Sequence, residues 1–438
     1  MRQHPPSIRL GGMRLMPDDR AAAGVVASDD APAEPQTPVS GGFITGFVIA
    51  QVGAYVSFLP LLQILAPLKA AALAPASKHE LVSLIALLGA IAAASTNLLV
   101  GFLSDRTRGR WGRRRPWIVA GAILAAASYA LVDLANSPLT LLASILVFQV
   151  AFNLAFAPLQ ALIPDRVPDR QKGWVSAMAS LGLPLGQIIG TVLVGMLVHD
   201  MAGRFMALAA IVLVALVPFA LAIRDPLAPA TAPPRLSALR FSWPRFTADF
   251  GFVWVGRCLV LTAFSLGQIY LLLYLQETFA THVAKGWTPE AEMARMALVF
   301  GVVNAATGIA AGRASDLFSR RKAFVFGGAV VLGGAMLGLA VAHGWLAVAI
   351  SYGVLGCGAG CYFAVDLALI AQVLPSASTV GRDLGVINLS NTVPQIAAPA
   401  MAAVLLAAPN ASIRWVFALA AVLAILGAGM VLPIRRVR

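Results

Sequence analysis

The strongest constraint on this chain is its recurrence of apolar runs about 20 residues long, each able as a helix to cross a hydrocarbon core about 30 Å thick at about 1.5 Å per residue. Twelve such runs are read at 43–66, 80–103, 116–136, 139–163, 174–198, 205–223, 250–275, 295–314, 323–342, 345–371, 383–407 and 413–434. They are rich in Gly, Ala, Leu and Val, which suits helices packed in lipid rather than barrel strands. Of the whole chain 59% is hydrophobic and 12% charged. That is about half the charged fraction a soluble domain carries, so the outer faces are expected to meet lipid. The fold class that follows is all-α and polytopic.

A formal charge of +13 raises the question of nucleic acid, but the basic residues sit in short connections between apolar runs. Arg106, Arg108, Arg110, Arg113, Arg114 and Arg115 follow the second run; Arg313, Arg320, Arg321 and Lys322 follow the eighth; Arg435, Arg436 and Arg438 end the chain. This is the distribution of a positive-inside signal. It places both termini in the cytoplasm of a multi-pass inner-membrane protein, with the lipid bilayer and no nucleic acid as partner. Residues 1–41 hold no apolar core for a signal peptide and read as a disordered cytoplasmic tail. Residues 224–249, with five prolines, read as a cytoplasmic linker between a six-helix bundle at 42–223 and another at 250–438 with a short basic tail. Cys258, Cys357 and Cys361 lie in apolar runs without further Cys or His partners, so neither a disulfide framework nor a metal site is expected.

An internal repeat supports the division. Gly101-Phe-Leu-Ser104-Asp105 after the second run is echoed by Gly312-Arg-Ala-Ser315-Asp316 after the eighth. Ala161-Leu162-Ile163 with Pro168 is echoed by Ala368-Leu369-Ile370 with Pro375, giving offsets of 211 and 207 residues in the same order.

The sequence Gly101-x-x-Ser104-Asp105-Arg106, followed by Gly112-Arg113-Arg114-Arg115-Pro116, resembles the loop 2–3 signature of the major facilitator superfamily. The longer form SDRTRGRWGRRRPWI is similar to the glycoside/sucrose:cation symporter branch that includes plant sucrose carriers. The resemblance covers the chain from about residue 42 onward and implies the major facilitator fold of twelve transmembrane helices in two pseudo-symmetric bundles, with helices 1, 4, 7 and 10 lining a central cavity. It also implies transport of sucrose, maltose or another glucoside with protons, or in some members sodium. Plant sucrose carriers hold an acidic residue in helix 4, where this chain reads Ala157-Pro158-Leu159-Gln160.

Two charges sit inside apolar runs, Arg257 in the seventh and Asp366 in the tenth, at depths that agree to about one helical turn. A lone charge at such depth costs several kcal/mol. The two are therefore expected to pair and to carry ion coupling, a permanent structural pair being the competing reading. Neutral polar residues form a second constellation: Gln51 and Tyr55; Gln149 and Asn153; Gln187; Trp254, Gln268 and Tyr270; Asn304; Tyr362; and Asn388, Asn391 and Gln395. Spacings of three or four put the Gln51, Gln149 and Asn388 sets each on one helix face. Amides both donate and accept, as sugar hydroxyls require, while Tyr55 and Trp254 suit the apolar face of a pyranose; helix–helix hydrogen bonding is the bland alternative. Asp105, Arg106, Arg113, Arg114 and Asp316 are expected to gate the cytoplasmic ends, against topology determination alone. Gly182, Pro184, Gly186 and Pro394 are expected to permit close approach or bends.

The chain carries no GxxxxGK[ST] loop, so ATP-driven transport is disfavoured and no cofactor or enzymatic step is expected. The leading expectation is a monomeric secondary transporter that carries a sugar or glycoside inward with a proton by rocking of the two halves. Export of a drug or metabolite is the transporter alternative, distinguished by efflux. A non-transporting assembly factor or receptor on the same scaffold is the other, distinguished by function retained without Arg257 and Asp366.

Overall fold

The computed structural model describes residues 38–223, 248–278, 288–318, 320–373 and 380–434. The expected tail and linker therefore fall almost wholly outside the described residues. Twelve helical rods account for the described chain: α1 Gly41–Leu73, α2 Pro75–Arg106, α3 Arg115–Leu134, α4 Pro138–Arg166, α5 Arg170–Leu197, α6 Met201–Ala222 and α7 Ala248–Thr278, then α8 Pro289–Phe318, α9 Arg321–Val341, α10 Trp345–Val373, α11 Val380–Leu406 and α12 Arg414–Gly429. Ten of them have the length and hydropathy to cross a membrane, and α12 is a shorter apolar helix.

The first rod runs seven residues beyond the expected end at 66 because a polar residue inside it has work to do. Lys69 donates to the carbonyls of Val132 (2.6 Å), Asp133 and Ala135 (3.2 Å), satisfying the open C-terminal end of α3. The same device recurs on the other face. Arg115, opening α3, donates to Ala220 (2.9 Å) and Leu221 (2.6 Å) at the end of α6, and Lys322, opening α9, donates to Leu432 (2.5 Å) and Ile434 (2.9 Å) beyond α12. Arg115 and Lys322 stand at the 207-residue offset of the second sequence echo.

Packing repeats with a shift of six helices. In the first half α1 packs on α5 and α6, α2 on α4, and α3 on α4 and α6; in the second, α7 packs on α11 and α12, α8 on α10, and α9 on α10 and α12. Two seams join the halves, α2 against α11 and α5 against α8, and these exchange under the same shift. Two π-turns, Leu61–Leu65 in α1 and Leu193–Leu197 in α5, also pack across, onto α7 and α8. Such turns insert a residue into the helical ladder and recur at functional positions.

Close approach within the first half depends on glycine. Gly182, Gly186 and Gly190 present one face of α5 to α1, where an added Cβ would stand 2.9 Å from Gln51 Cβ, 2.4 Å from Tyr55 Cβ and 2.5 Å from Pro60 Cγ. Because lipid gives helices no hydrophobic reason to associate, this backbone proximity is what holds the pair together. Gly186→Ala is expected to destabilise the protein by about 1–3 kcal/mol through overpacking. Thermal unfolding in detergent, followed by thiol-dye labelling of the three free cysteines, should show a lower midpoint for Gly186→Ala and none for Gly334→Ala, where an added Cβ meets nothing.

Candidate functional site

Four helices that carry much of the polar constellation are well enclosed by the protein. Half or more of the apolar window is buried in α1 (56%), α4 (50%), α7 (67%) and α10 (50%), against 22% in α2. Gln51, Gln149, Asn153, Arg257 and Asp366 lie on the buried sides of these four.

On α4, Gln149, Asn153, Phe156 and Gln160 follow at steps of four, three and four, which stacks them on one face. Asn153 Nδ2 donates to the Gln149 carbonyl (2.9 Å), and Asn153 Oδ1 accepts from Asn97 of α2 (3.1 Å). Gln160 Oε1 accepts from Gln51 Nε2 of α1. Gln187 Nε2 donates to Gln63 Oε1 at 2.6 Å, tying α5 to the π-turn of α1. Two side-chain acceptors, Gln51 Oε1 and Gln149 Oε1, are buried with no partner among the described residues. Unsatisfied buried carbonyls of this kind cost free energy unless water or a ligand hydroxyl meets them.

The second half is charged where the first is neutral. Arg257 of α7 and Asp366 of α10, 7% and 2% exposed, form an ion pair. The guanidinium also donates through Nε to Ser390 Oγ (3.0 Å) and through Nη2 to Asn391 Oδ1 (2.9 Å), both on α11. Gln268 accepts from Tyr352 Oη at 3.2 Å. Tyr362 is buried edge-on against Phe363, with ring centroids 5.5 Å apart.

An aromatic pair recurs in both halves. Tyr55 meets Phe156 at 5.4 Å and 73° between α1 and α4; Phe264 meets Phe363 at 5.2 Å and 82° between α7 and α10. Edge-to-face contacts of this kind are favoured by the ring quadrupoles. In each half the polar link, Gln51–Gln160 or Arg257–Asp366, lies on the side of the aromatic pair nearer the chain termini.

Of the other expected residues, Trp254 and Asn304 are half-buried on α7 and α8, and Gln395 is exposed on α11. The side chains of Asn388 and Asp316 lie outside the described residues. Asn391 is held by Arg257 rather than standing among substrate-facing amides alone. Gln160, Gln63, Asn97, Ser390 and Tyr352 are brought in by the structure; only Gln160 carried a sequence signal, its place on the Gln149–Asn153 face.

At the face that carries the termini, Arg114 is the hub. It reaches Asp105 (2.6 Å), Asp165 (2.9 Å) and Ser104 Oγ (2.5 Å), and Arg113 joins it on Asp165 at 2.5 Å. These groups come from α2, the start of α3 and the end of α4, so the cluster ties helices of one half together. Arg106 instead stacks on Phe102, 3.4 Å from its ring centre.

Contacts between the halves collect at the other face. Glu277 at the end of α7 pairs with Lys78 (2.7 Å) and His79 (2.6 Å) at the start of α2, and Ser83 Oγ meets Tyr270 Oη at 2.5 Å. A Cβ at Gly195 of α5 would stand 2.5 Å from the Glu290 carbonyl of α8. Toward the termini, by contrast, Leu98 and Leu99 of α2 are 78% and 62% exposed, and an added Cβ at Gly101 or Gly312 meets nothing within 4 Å.

Comparison with known proteins gives a consistent picture. The family model for the Major Facilitator Superfamily matches residues 41–294 and 253–438. A bacterial homologue of the human lysosomal transporter Spinster, solved inward-facing and occupied, superposes with a TM-score of 0.68 at 12% identity, over 90% of this chain and 96% of that one. The nucleoside transporter NupG gives 0.68 at 12% identity over 90% and 99%, and the peptide transporter POT gives 0.71 at 14% over 92% and 98%. An uncharacterized symporter of Synechocystis sp. is 32% identical over 93 residues, a match that spans 17% of that protein and 18% of this one.

Arg114 is 5% exposed and bridges Asp105, Asp165 and Ser104, so its removal leaves Asp105 to solvent, Asp165 to Arg113 alone and three helices without their common tie. Arg114→Gln is expected to lower the detergent unfolding midpoint clearly, by loss of about 1–3 kcal/mol. Arg106→Gln, which removes one stacking contact worth about 0.5–1 kcal/mol, should move it far less; equal shifts would show that the cluster is not the hub.

Proposed function

Since the chain belongs to the Major Facilitator Superfamily, a family of membrane transporters, we propose that it takes up a sugar or glycoside, of sucrose or maltose kind, together with a proton by alternating access. The observation that carries this reading is the pairing of an uncharged amide wall on α1 and α4 with a single buried Arg257–Asp366 pair on α7 and α10. The amide wall offers two buried, unpartnered carbonyl oxygens, suited to hydroxyl donors of a neutral polyol. Tyr55 and Phe156 beside it offer a ring wall for the apolar face of a pyranose. The C-terminal pair supplies a carboxylate that can take up a proton without a second ionised acid beside it. Sodium is the alternative coupling ion.

Orientation follows from the basic clusters. The face holding Arg108, Arg110, Arg113, Arg114 and Arg320 is cytoplasmic by the positive-inside rule, and the protein resides in the inner membrane as a functional monomer. The contacts of Glu277 with Lys78 and His79, and of Ser83 with Tyr270, then close the outer end, while the bare turns of α2 leave the crevice open inward. Asp105, Arg113 and Arg114 stiffen the first half as it rocks, and Asp316 holds the corresponding position in the second.

Counterflow in proteoliposomes with labelled mono- and disaccharides, repeated under imposed pH and sodium gradients, tests the reading. Glycoside counterflow accelerated by an inward proton gradient is expected; flux of another solute alone, or outward pumping, overturns the substrate or the direction. Asp366→Asn should retain glycoside exchange and lose the response to the pH gradient, and an unaltered response in a well-folded variant removes Asp366 from coupling.

A further inference from the structure

Arg257 serves more than one partner. Its planar fork presents five N–H donors. One Nη1 donor meets Asp366 on α10, while Nε and Nη2 donate to Ser390 Oγ at 3.0 Å and Asn391 Oδ1 at 2.9 Å on α11. Ser390 is fully buried, so no bulk water stands in for its hydroxyl. α11 is also the helix of the second half that packs across the seam on α2.

From this geometry we infer that Ser390 and Asn391 are positioning residues that set the proton affinity of Asp366 by holding its counter-ion. The inference rests on the proton-coupling part of the reading above and needs no particular substrate. When Asp366 is ionised it neutralises Arg257. When it is protonated the guanidinium is left in a low-dielectric site with no countercharge, a state that is costly unless acceptor dipoles remain on it. Ser390 Oγ and Asn391 Oδ1 are those acceptors. Their negative ends also lie beside the pair and disfavour the ionised carboxylate. Both effects act in the same direction: with the two acceptors in place, Asp366 takes up its proton more readily than the bare Arg–Asp pair would allow.

Among the described residues, the other titratable side chains beside the guanidinium are Cys258 on α7 and Tyr362 on α10. α12 meets this stretch of α7 with Gly427 and Met430 against Gly256. α8 and α9 meet α10 with Thr307 against Gly360 and with the Phe324 carbonyl against Cys361.

The test is an infrared titration of the full chain in liposomes, with the protonated-carboxyl band of Asp366 assigned by its loss in Asp366→Asn. Ser390→Ala and Asn391→Leu should each move the midpoint to lower pH, by about 1 unit. Asn391→Asp brings a second countercharge to Arg257, so a carboxyl of the site should protonate at higher pH, a shift of opposite sign. Monodisperse elution and an unchanged helical spectrum confirm folding of each variant. If the band titrates in the unaltered protein and the variants leave it in place, the inference is wrong while proton coupling stands. Absence of any titrating Asp366 band between about pH 4 and 9 overturns both.

Discussion

Hydrocarbon cannot accept a hydrogen bond, and nearly every feature of this protein answers that fact. Backbone groups are satisfied by forming helices, and helix ends by reaching side chains from neighbours, as Lys69, Arg115 and Lys322 do for α3, α6 and the chain end. Side-chain amides and charges within the rods then have two outlets, each other or an aqueous crevice. The first is taken between α1, α4, α7 and α10 and by their partners on α2, α5 and α11. A lipid-exposed position for Arg257 or Gln149 would be unstable at any orientation of its helix, so the polar site and the central position of α1, α4, α7 and α10 are one constraint seen twice.

The pseudo-symmetry makes its own exceptions informative. Packing partners, basic helix caps and edge-to-face aromatic pairs all recur with a six-helix shift. The polar link between the inner helices recurs in place but changes in chemistry, from Gln51–Gln160 to Arg257–Asp366. Duplicated halves would begin with the same link, and only one half retains or acquires charge. On the proposed function this division keeps the titrating group away from the amide wall, so that the wall would hold hydroxyls in a geometry independent of the protonation state of the other half.

Fold and membrane crossing were legible in the sequence because both depend on long-range averages, the length of an apolar run and the sign of a connection. All twelve runs are helical, with ends misjudged mainly where a polar residue belonged to the rod, as Lys69 does in α1. Pairing of Arg257 with Asp366 was legible too, since two buried charges at equal depth have few alternatives. What the sequence could not display was which amide meets which. Gln160 lies in a stretch notable for lacking an acid, and only its step of seven from Asn153 marks it as belonging to the same face. Ser390 gave no signal at all, because a serine in a transmembrane helix commonly bonds its own backbone; only the arrival of Arg257 from another helix gives it a role. Asn391 looked like one more substrate-facing amide, and the fork of a guanidinium claimed it.

Arginine rather than lysine at position 257 fits this chemistry. A lysine ammonium could pair with Asp366, but when buried it readily loses its own proton, and the site would then hold two groups competing for one titration. The guanidinium keeps its charge throughout, which forces any proton uptake onto the carboxylate. Its rigid fork can also stay anchored to Ser390 and Asn391 while its bond to Asp366 is weakened, so the ion pair can open without the cation swinging free. Since those anchors sit on α11, which packs on α2 of the opposite half, the proposed protonation of Asp366 would act directly on a helix of the seam between the halves.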